Sequence, residues 1–208
     1  MSLFLFPVRY ALKLAKRLIL ASRSPRRSAL LKQIGLNAEV LPAEVNEELD
    51  VKLSPAENAV RLAIRKAEHV AQQIDNAIVI GADTIVAVDG DMLGKPVDRE
   101  DAIRMLSMLS DRTHVVHTGF TLFDRPSNRQ FSTVESTSVT FRALPLEEIK
   151  EYVHGGSPMD KAGAYGIQDD YGAVFVRRIE GCYYNVMGFP LSRFYESLQE
   201  FQKQLTDT

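Results

Sequence analysis

Short apolar runs alternate with capped helical stretches through the first half of this chain, until two hairpin signals break the alternation. Strand–helix–strand units need parallel neighbours and tight hairpins need antiparallel ones, so a chain carrying both builds a mixed sheet. Leu18 to Ala21 and Ala38 to Leu41 read as strands around a helix that opens at Ser24-Pro25. Ser54-Pro55-Ala56-Glu57 is a capping box. The helix it starts extends to about Gln73, with Val60, Ala63, Ile64, Ala67, Val70, Ala71 and Ile74 on its apolar face. Ala77 to Ala82 is an apolar strand that ends at Asp83, and a second strand, Ile85 to Val88, turns at Asp89-Gly90 and returns toward Lys95. Asp98 caps a helix ending near Ser110, and His114 to Phe123 with Phe131 to Phe141 form a long hairpin. A fourth helix opens at Leu144-Pro145 and stops at Gly155-Gly156. Gly163 to Gln168 and Ala173 to Ile179 are further strand candidates, and Pro190 to Leu205 is a closing amphipathic helix. The expected architecture is α/β, a twisted mixed β-sheet flanked by helices, with one domain over residues 18–208 and a cleft between two lobes.

The charge balance narrows the function. Lys and Arg number 25 against 27 acids, a net charge of -2, so a general nucleic-acid coat is excluded and any phosphate site is local. Cys182 is the only cysteine, which excludes an intrachain disulfide and any multi-cysteine zinc site. A metal here would be held by oxygen. Residues 1–17 form a basic leader, with Arg9, Lys13, Lys16 and Arg17 and no acid. It is too short and interrupted to span a membrane. Its composition suits mitochondrial import, but the leader is poor in serine and runs straight into the first strand, so the cytoplasm is the default expectation.

The segment from Leu18 to Arg27 joins a strand, a turn and a cationic helix start. Ser24 suits the N-cap, and Pro25 suits the first helical position because its missing N–H would have no intrahelical partner. Arg26 and Arg27 then fall in the first turn, where cations oppose the helix dipole unless an anion is shared between them. The same residues also suit an ordinary helix start with solvated arginines. Asp83, following an apolar strand, stands where open α/β sheets place reactive groups. It can take a proton from water, hold a divalent cation, or simply cap a turn. A second acidic group, Glu44 to Asp50, lies in a loop after the second strand. Lys95, Lys161 and Gln168 each stand beside glycine or at the end of an element, where small neighbours let a ligand come close. The histidines suggest no nucleophilic triad, and there is no Walker A run or dinucleotide fingerprint.

Five ordered blocks carry a family resemblance: Ala-Ser22-x-Ser24-Pro-Arg26-Arg27; Gly-Ala-Asp83-Thr84; Gly-Lys95-Pro; Asp160-Lys161-Ala-Gly-Ala-Tyr-Gly-Ile-Gln168; and Tyr184-Asn185-Val-Met-Gly188-Phe-Pro190. Over about residues 18–200 the sequence resembles the Maf nucleotide pyrophosphatases, which include bacterial septum-formation inhibitor homologues. The resemblance implies cleavage of a nucleoside triphosphate between its α and β phosphates with magnesium or manganese. It also implies an elongated mixed-sheet fold related to the inosine triphosphate pyrophosphatases, commonly as a homodimer. On this basis Asp83 matches the proton acceptor and Glu47 an acidic residue that assists metal binding. Ser22, Ser24, Arg27 and Lys161 match the phosphate lining, and Lys66 a helix lysine facing the cleft. Arg26, Thr84, Lys95 and Gln168 resemble the branch acting on dTTP and UTP. The alternatives are a pyrophosphatase for methylated guanine nucleotides and a non-hydrolysing nucleotide-binding regulator of cell division. Two departures from the family pattern are the long basic leader and Asp169-Asp170-Tyr171, which stands where a glycine-rich turn is expected.

Overall fold

The computed structural model describes residues 13–168 and 170–206, with the side chains of Ser157 and Asp170 left aside. The leader expectation for residues 1–12 lies outside the described residues, as does Asp169. Among the described residues seven strands form one mixed sheet: β1 (Leu18–Leu20), β2 (Ala38–Val40), β3 (Ala77–Val88), β4 (Asp91–Leu93), β5 (Thr113–Arg125), β6 (Gln130–Phe141) and β7 (Val176–Glu180). The order is β2-β1-β3-β5-β6-β7, with β4 folded back on β3. β1 pairs in parallel with β2 and β3, whereas every other pairing is antiparallel. The mixed sheet expected from the alternating and hairpin segments is present. The helices are α1 (Pro25–Gln33), α2 (Pro55–Ala71), α3 (Arg99–Leu109), α4 (Leu146–His154), the short α5 (Tyr183–Val186) and α6 (Leu191–Thr206). No helix among the described residues is long and apolar enough to cross a membrane.

Apolar burial divides along β3 and β5. Around Leu20, Ile80, Phe120 and Leu122, one face of the sheet packs against α1 and α6 through Leu30, Phe194 and Leu198. Ile19 and Val79 point the other way, onto Ala67 and Val70 of α2. Past this point a separate core gathers Val86, Leu106, Val116, Phe141, Ile149 and Phe175 under α3 and α4. Asp83 and Thr84 of β3 lie where one core gives way to the other, which produces the two-lobed arrangement.

Several local expectations need correction. The strand expected to end at Asp83 and resume at Ile85 is one continuous β3, because Asp83 and Thr84 pair with Gly119 and Thr118 of β5. Asp83 is therefore a mid-strand residue, not a loop residue or a turn cap. Gly163 to Gln168 is not a strand. A 3₁₀ turn occupies Ala162–Ala164, and Gly163 (φ 69°) and Ala164 (φ 60°) adopt left-handed backbone that ends any extended run. The strand expected at Ala173 begins at Val176, after a 3₁₀ segment at Asp170–Phe175. α4 begins two residues later than its Leu144 expectation.

The buried face of α2 is also rotated from its sequence assignment. Ala59, Leu62, Ala63, Lys66 and Ala67 are buried, while Val60 and Ile64 are only partly covered. The cause is glycine. A Cβ on Gly81 would stand 2.0 Å from the Ala63 carbonyl oxygen, and one on Gly119 would stand 2.5 Å from the Ala59 carbonyl carbon. With only hydrogen at these two sheet positions, the alanine stripe of α2 settles backbone to backbone on β3 and β5. The approach carries Lys66 over the sheet.

His114 is buried behind the cleft. Its Nε2 lies 2.8 Å from the Tyr165 hydroxyl and its Nδ1 has no partner among the described residues, and burial pushes its pKa down from 6.5 to about 4. Between those values the unfolded chain binds a proton that the folded chain refuses. The associated stability is complete above pH 6.5, and about 3 kcal/mol of it drains away as the pH falls through this window. Urea unfolding of His114→Gln across the window should show a shallower pH dependence than the wild type. An identical slope would mean that another group carries it.

Candidate active site

The sheet leaves a notch at one edge of β3. β1 pairs with β3 only as far as Ile80, and β4 rejoins that edge only at Val86. Among the described residues, residues 81–85 of β3 thus have β5 on one side and no strand on the other. The Ile80 carbonyl accepts from the Ala21 N–H at 2.8 Å, and the next carbonyl on this open edge, Ala82, accepts from Nη1 of Arg27 at 3.0 Å. Successive side chains of a strand leave on opposite faces, so Asp83 turns toward α2 and Thr84 toward α1 and α5. The notch lets one cleft, of about 770 Å³, reach both. Ser22, Ser24, Arg26, Arg27, Glu47, Lys66, Asp83, Thr84, Lys95, Lys161 and Gln168 all line it.

On the α2 side a buried ammonium joins two acids. Lys66 Nζ lies 2.5 Å from Asp83 Oδ1 and 2.8 Å from Glu47 Oε1. Asp83 Oδ2 has no partner among the described residues. Glu47 rides on the irregular segment between β2 and α2, which is fastened from below by the fully buried Asn58. The Asn58 amide donates to the carbonyls of Asp50 and Leu53 and accepts from the Asp50 N–H. Partial burial is the largest single influence on Glu47 and raises its pKa. The Lys66 hydrogen bond and the charges of Lys66, Lys95 and Arg27 together outweigh it and hold the carboxyl below its usual value. Lys95 is more distant, 3.8 Å from Glu47, on an exposed side chain.

The opposite wall is cationic. Ser24 has the extended backbone of an N-cap but makes no side-chain cap, so the first turn of α1 faces the cleft without it. Arg27 departs from the solvated alternative. It is buried, and its guanidinium donates to the Gly188 carbonyl at 2.9 Å, the Ser22 hydroxyl and Ala82 carbonyl at 3.0 Å, and the Thr84 hydroxyl at 2.9 Å. Burial presses its pKa down, and the Asp83 charge opposes that. Arg26 crosses the cleft mouth to Asp160, with Nη1 2.6 Å from Oδ2, and Lys161 lies 3.0 Å from the other carboxylate oxygen. Gly166 makes room for the Lys161 side chain, since a Cβ there would stand 2.7 Å from Lys161 Cε. The small neighbour thus admits the lysine itself.

The chain matches the family model described as Maf-like protein over residues 17–201. The chain belongs to the Maf family. A dTTP/UTP pyrophosphatase of Carboxydothermus hydrogenoformans is 51% identical over 185 residues, covering 89% of this chain and 98% of the relative. Relatives with the same description from Pelotomaculum thermopropionicum and Dictyoglomus turgidum are each 46% identical, covering 89% of this chain and 97% and 96% of their own lengths.

Within this Maf fold, sequence reasoning passed over three contributors. Asp160 was visible only as the neighbour of Lys161, and its tie to Arg26 spans most of the chain. Gly188 contributes a backbone carbonyl to Arg27, which no side-chain pattern announces. Thr118 is a fully buried strand threonine bonded to Thr84, and threonine in a strand is too common to signal anything.

Proposed function

We propose that this protein hydrolyses dTTP and UTP to the nucleoside monophosphate and pyrophosphate. The observation that carries the reading is convergence: an acid–lysine–acid cluster on one wall of a single cleft faces the open helix terminus and the Arg26 and Lys161 cations gathered on Asp160 on the other. The relatives' descriptions supply the substrate class.

Water attacks the α phosphorus, the bond from that phosphorus to the bridging oxygen breaks, and pyrophosphate leaves. Asp83 takes the proton of the attacking water at Oδ2, since Lys66 engages Oδ1. Lys66 fixes the carboxylate in place and sets its own charge beside the reaction. Ser22, Ser24, Lys161 and the start of α1 line the phosphates, and the Arg27 charge acts from beneath them. Arg26, Thr84, Lys95 and Gln168 recognise the base. Such chemistry rests on positioning and electrostatics, with no covalent intermediate.

Asp83 and Glu47 both come within 2.8 Å of a single nitrogen, so the two carboxylates converge on one region. No group of three or more histidine, cysteine or acidic residues forms a metal cage among the described residues. One or two carboxylates completed by phosphate oxygens and water form the donor set magnesium accepts, so these residues fit a magnesium or manganese ion shared with the substrate. Glu47 and Asp83 would hold that ion, which supplies charge neutralisation at the phosphates when bound. The family resemblance supports a homodimer, and the serine-poor leader running straight into the first strand favours the cytoplasm, with residues 1–17 leading into one catalytic domain.

The test is pyrophosphate release across dTTP, UTP, dCTP, CTP and 7-methyl-GTP. The first two should lead by about tenfold or more in kcat/KM, with chelation abolishing turnover and magnesium or manganese restoring it. Preference for 7-methyl-GTP would move the protein to the guanine branch. Tight dTTP binding without turnover would make it a regulator.

A further inference from the structure

We propose that Thr118, buried on β5 and absent from the cleft wall, determines base specificity through Thr84 by turning the Thr84 hydroxyl proton inward. Thr84 then offers the cleft a lone pair only, an acceptor for the ring N3–H of uracil or thymine. The inference rests on the pyrimidine triphosphate reading above.

The argument is a proton count. Thr118 is fully buried, and its hydroxyl donates to the Asn185 backbone carbonyl at 3.2 Å. Its one proton is then spent, so in the 3.0 Å contact between the two hydroxyls Thr84 is the donor. Thr84 Oγ1 also accepts from Nη2 of Arg27 at 2.9 Å. A hydroxyl has one donor site and two acceptor sites, so a single acceptor site remains. Reversing the contact would surrender the bond to Asn185 and leave one fewer hydrogen bond in a buried network, which the interior disfavours.

The network is also rigid. Asn185 is fully buried, its side-chain amide donating to the Val116 carbonyl and the Thr137 hydroxyl, both at 2.9 Å. Its backbone carbonyl also accepts from the Gly188 N–H at 2.9 Å, and the Gly188 carbonyl in turn accepts from Nε of Arg27. Asn185, Thr118, Thr84, Arg27 and Gly188 therefore close a ring, fixing Thr84 from both sides. A uracil or thymine ring presents a proton at N3, whereas cytosine presents a lone pair that would oppose the one on Thr84.

Thr118→Val keeps the side-chain shape and removes the inward acceptor, which frees the Thr84 proton to serve cytosine. The kcat/KM ratio of dTTP to dCTP should fall by about tenfold or more in Thr118→Val, while Thr118→Ser stays within about twofold of the wild type. A purely structural role for Thr118 would lower both substrates together and leave the ratio in place. An unchanged ratio in Thr118→Val, or an equal fall in Thr118→Ser, overturns the proposal. Should Thr118→Val fail to fold, the wild type still decides: dTTP methylated at N3 lacks the proton and should lose about thirtyfold or more in kcat/KM, and a loss below about threefold overturns the proposal. Wild-type protein that does not hydrolyse dTTP defeats both this proposal and the functional reading; hydrolysis with an unaltered ratio defeats the relay alone.

Discussion

Asp83→Asn should lower kcat for dTTP by about a thousandfold while leaving KM within a few-fold, because it removes the proton acceptor and keeps the shape of the side chain. Binding survives because the cationic wall is built from α1 and the Asp160–Lys161 turn, and Glu47 remains to hold the metal ion shared with the substrate. Folding survives because Lys66, the buried cation at stake, keeps its 2.8 Å contact with Glu47. Pyrophosphate release under saturating dTTP, followed alongside thermal melting, measures both. A variant turning over within about threefold of the wild type would show that water is activated elsewhere, by the metal alone or by Glu47. A collapse in melting temperature would show that the Asp83–Lys66 contact is structural first.

Much of this arrangement is legible in the sequence wherever the determinants are local. The capping box at Ser54 is present in full, with Glu57 bonded back to the Ser54 N–H, and the Asp98 cap of α3 is likewise formed. The cleft residues are legible as a set, since those the family resemblance assigns to the site all line the same cavity, whereas Glu48 and Asp50 of the acidic run do not. Long-range consequences are not legible. Asp83-Thr84 looks like a strand end because two polar residues follow an apolar run, and only the ladder to Gly119 and Thr118 keeps them extended. Gly163 and Ala164 have the small, apolar look of a strand, yet their left-handed backbone follows from a turn whose Gly163 N–H bonds the Gly94 carbonyl. Arg27 reads as a phosphate clamp by position. Its burial depends on acceptors from Ser22, Ala82, Thr84 and Gly188, three of which are distant in sequence. Charges can be counted along a chain, but their partners are set by topology.

Gly81 makes the same point as an energetic statement, and Gly81→Ala should be the most destabilising small substitution in β3. The added carbon would stand 2.0 Å from the Ala63 carbonyl oxygen and 2.8 Å from the Ala67 nitrogen, both backbone atoms of α2 that no rotamer change can move aside. The helix as a whole must retreat. Overpacking of this kind costs typically 1–3 kcal/mol, and a backbone clash belongs at about the upper figure. In a domain of this size that corresponds to a fall in melting temperature of roughly 6–12 °C. Activity should fall too, by about tenfold to a hundredfold at temperatures where the protein stays folded, because α2 carries Lys66 and its 2.5 Å contact with Asp83 widens as the helix lifts. Gly94→Ala is the matched control for stability, since no atom of the described residues lies within 4 Å of its added carbon. If Gly81→Ala melts with the control and turns over dTTP normally, α2 is not seated by the glycine, and the coupling between helix packing and the acid–lysine pair is lost with it.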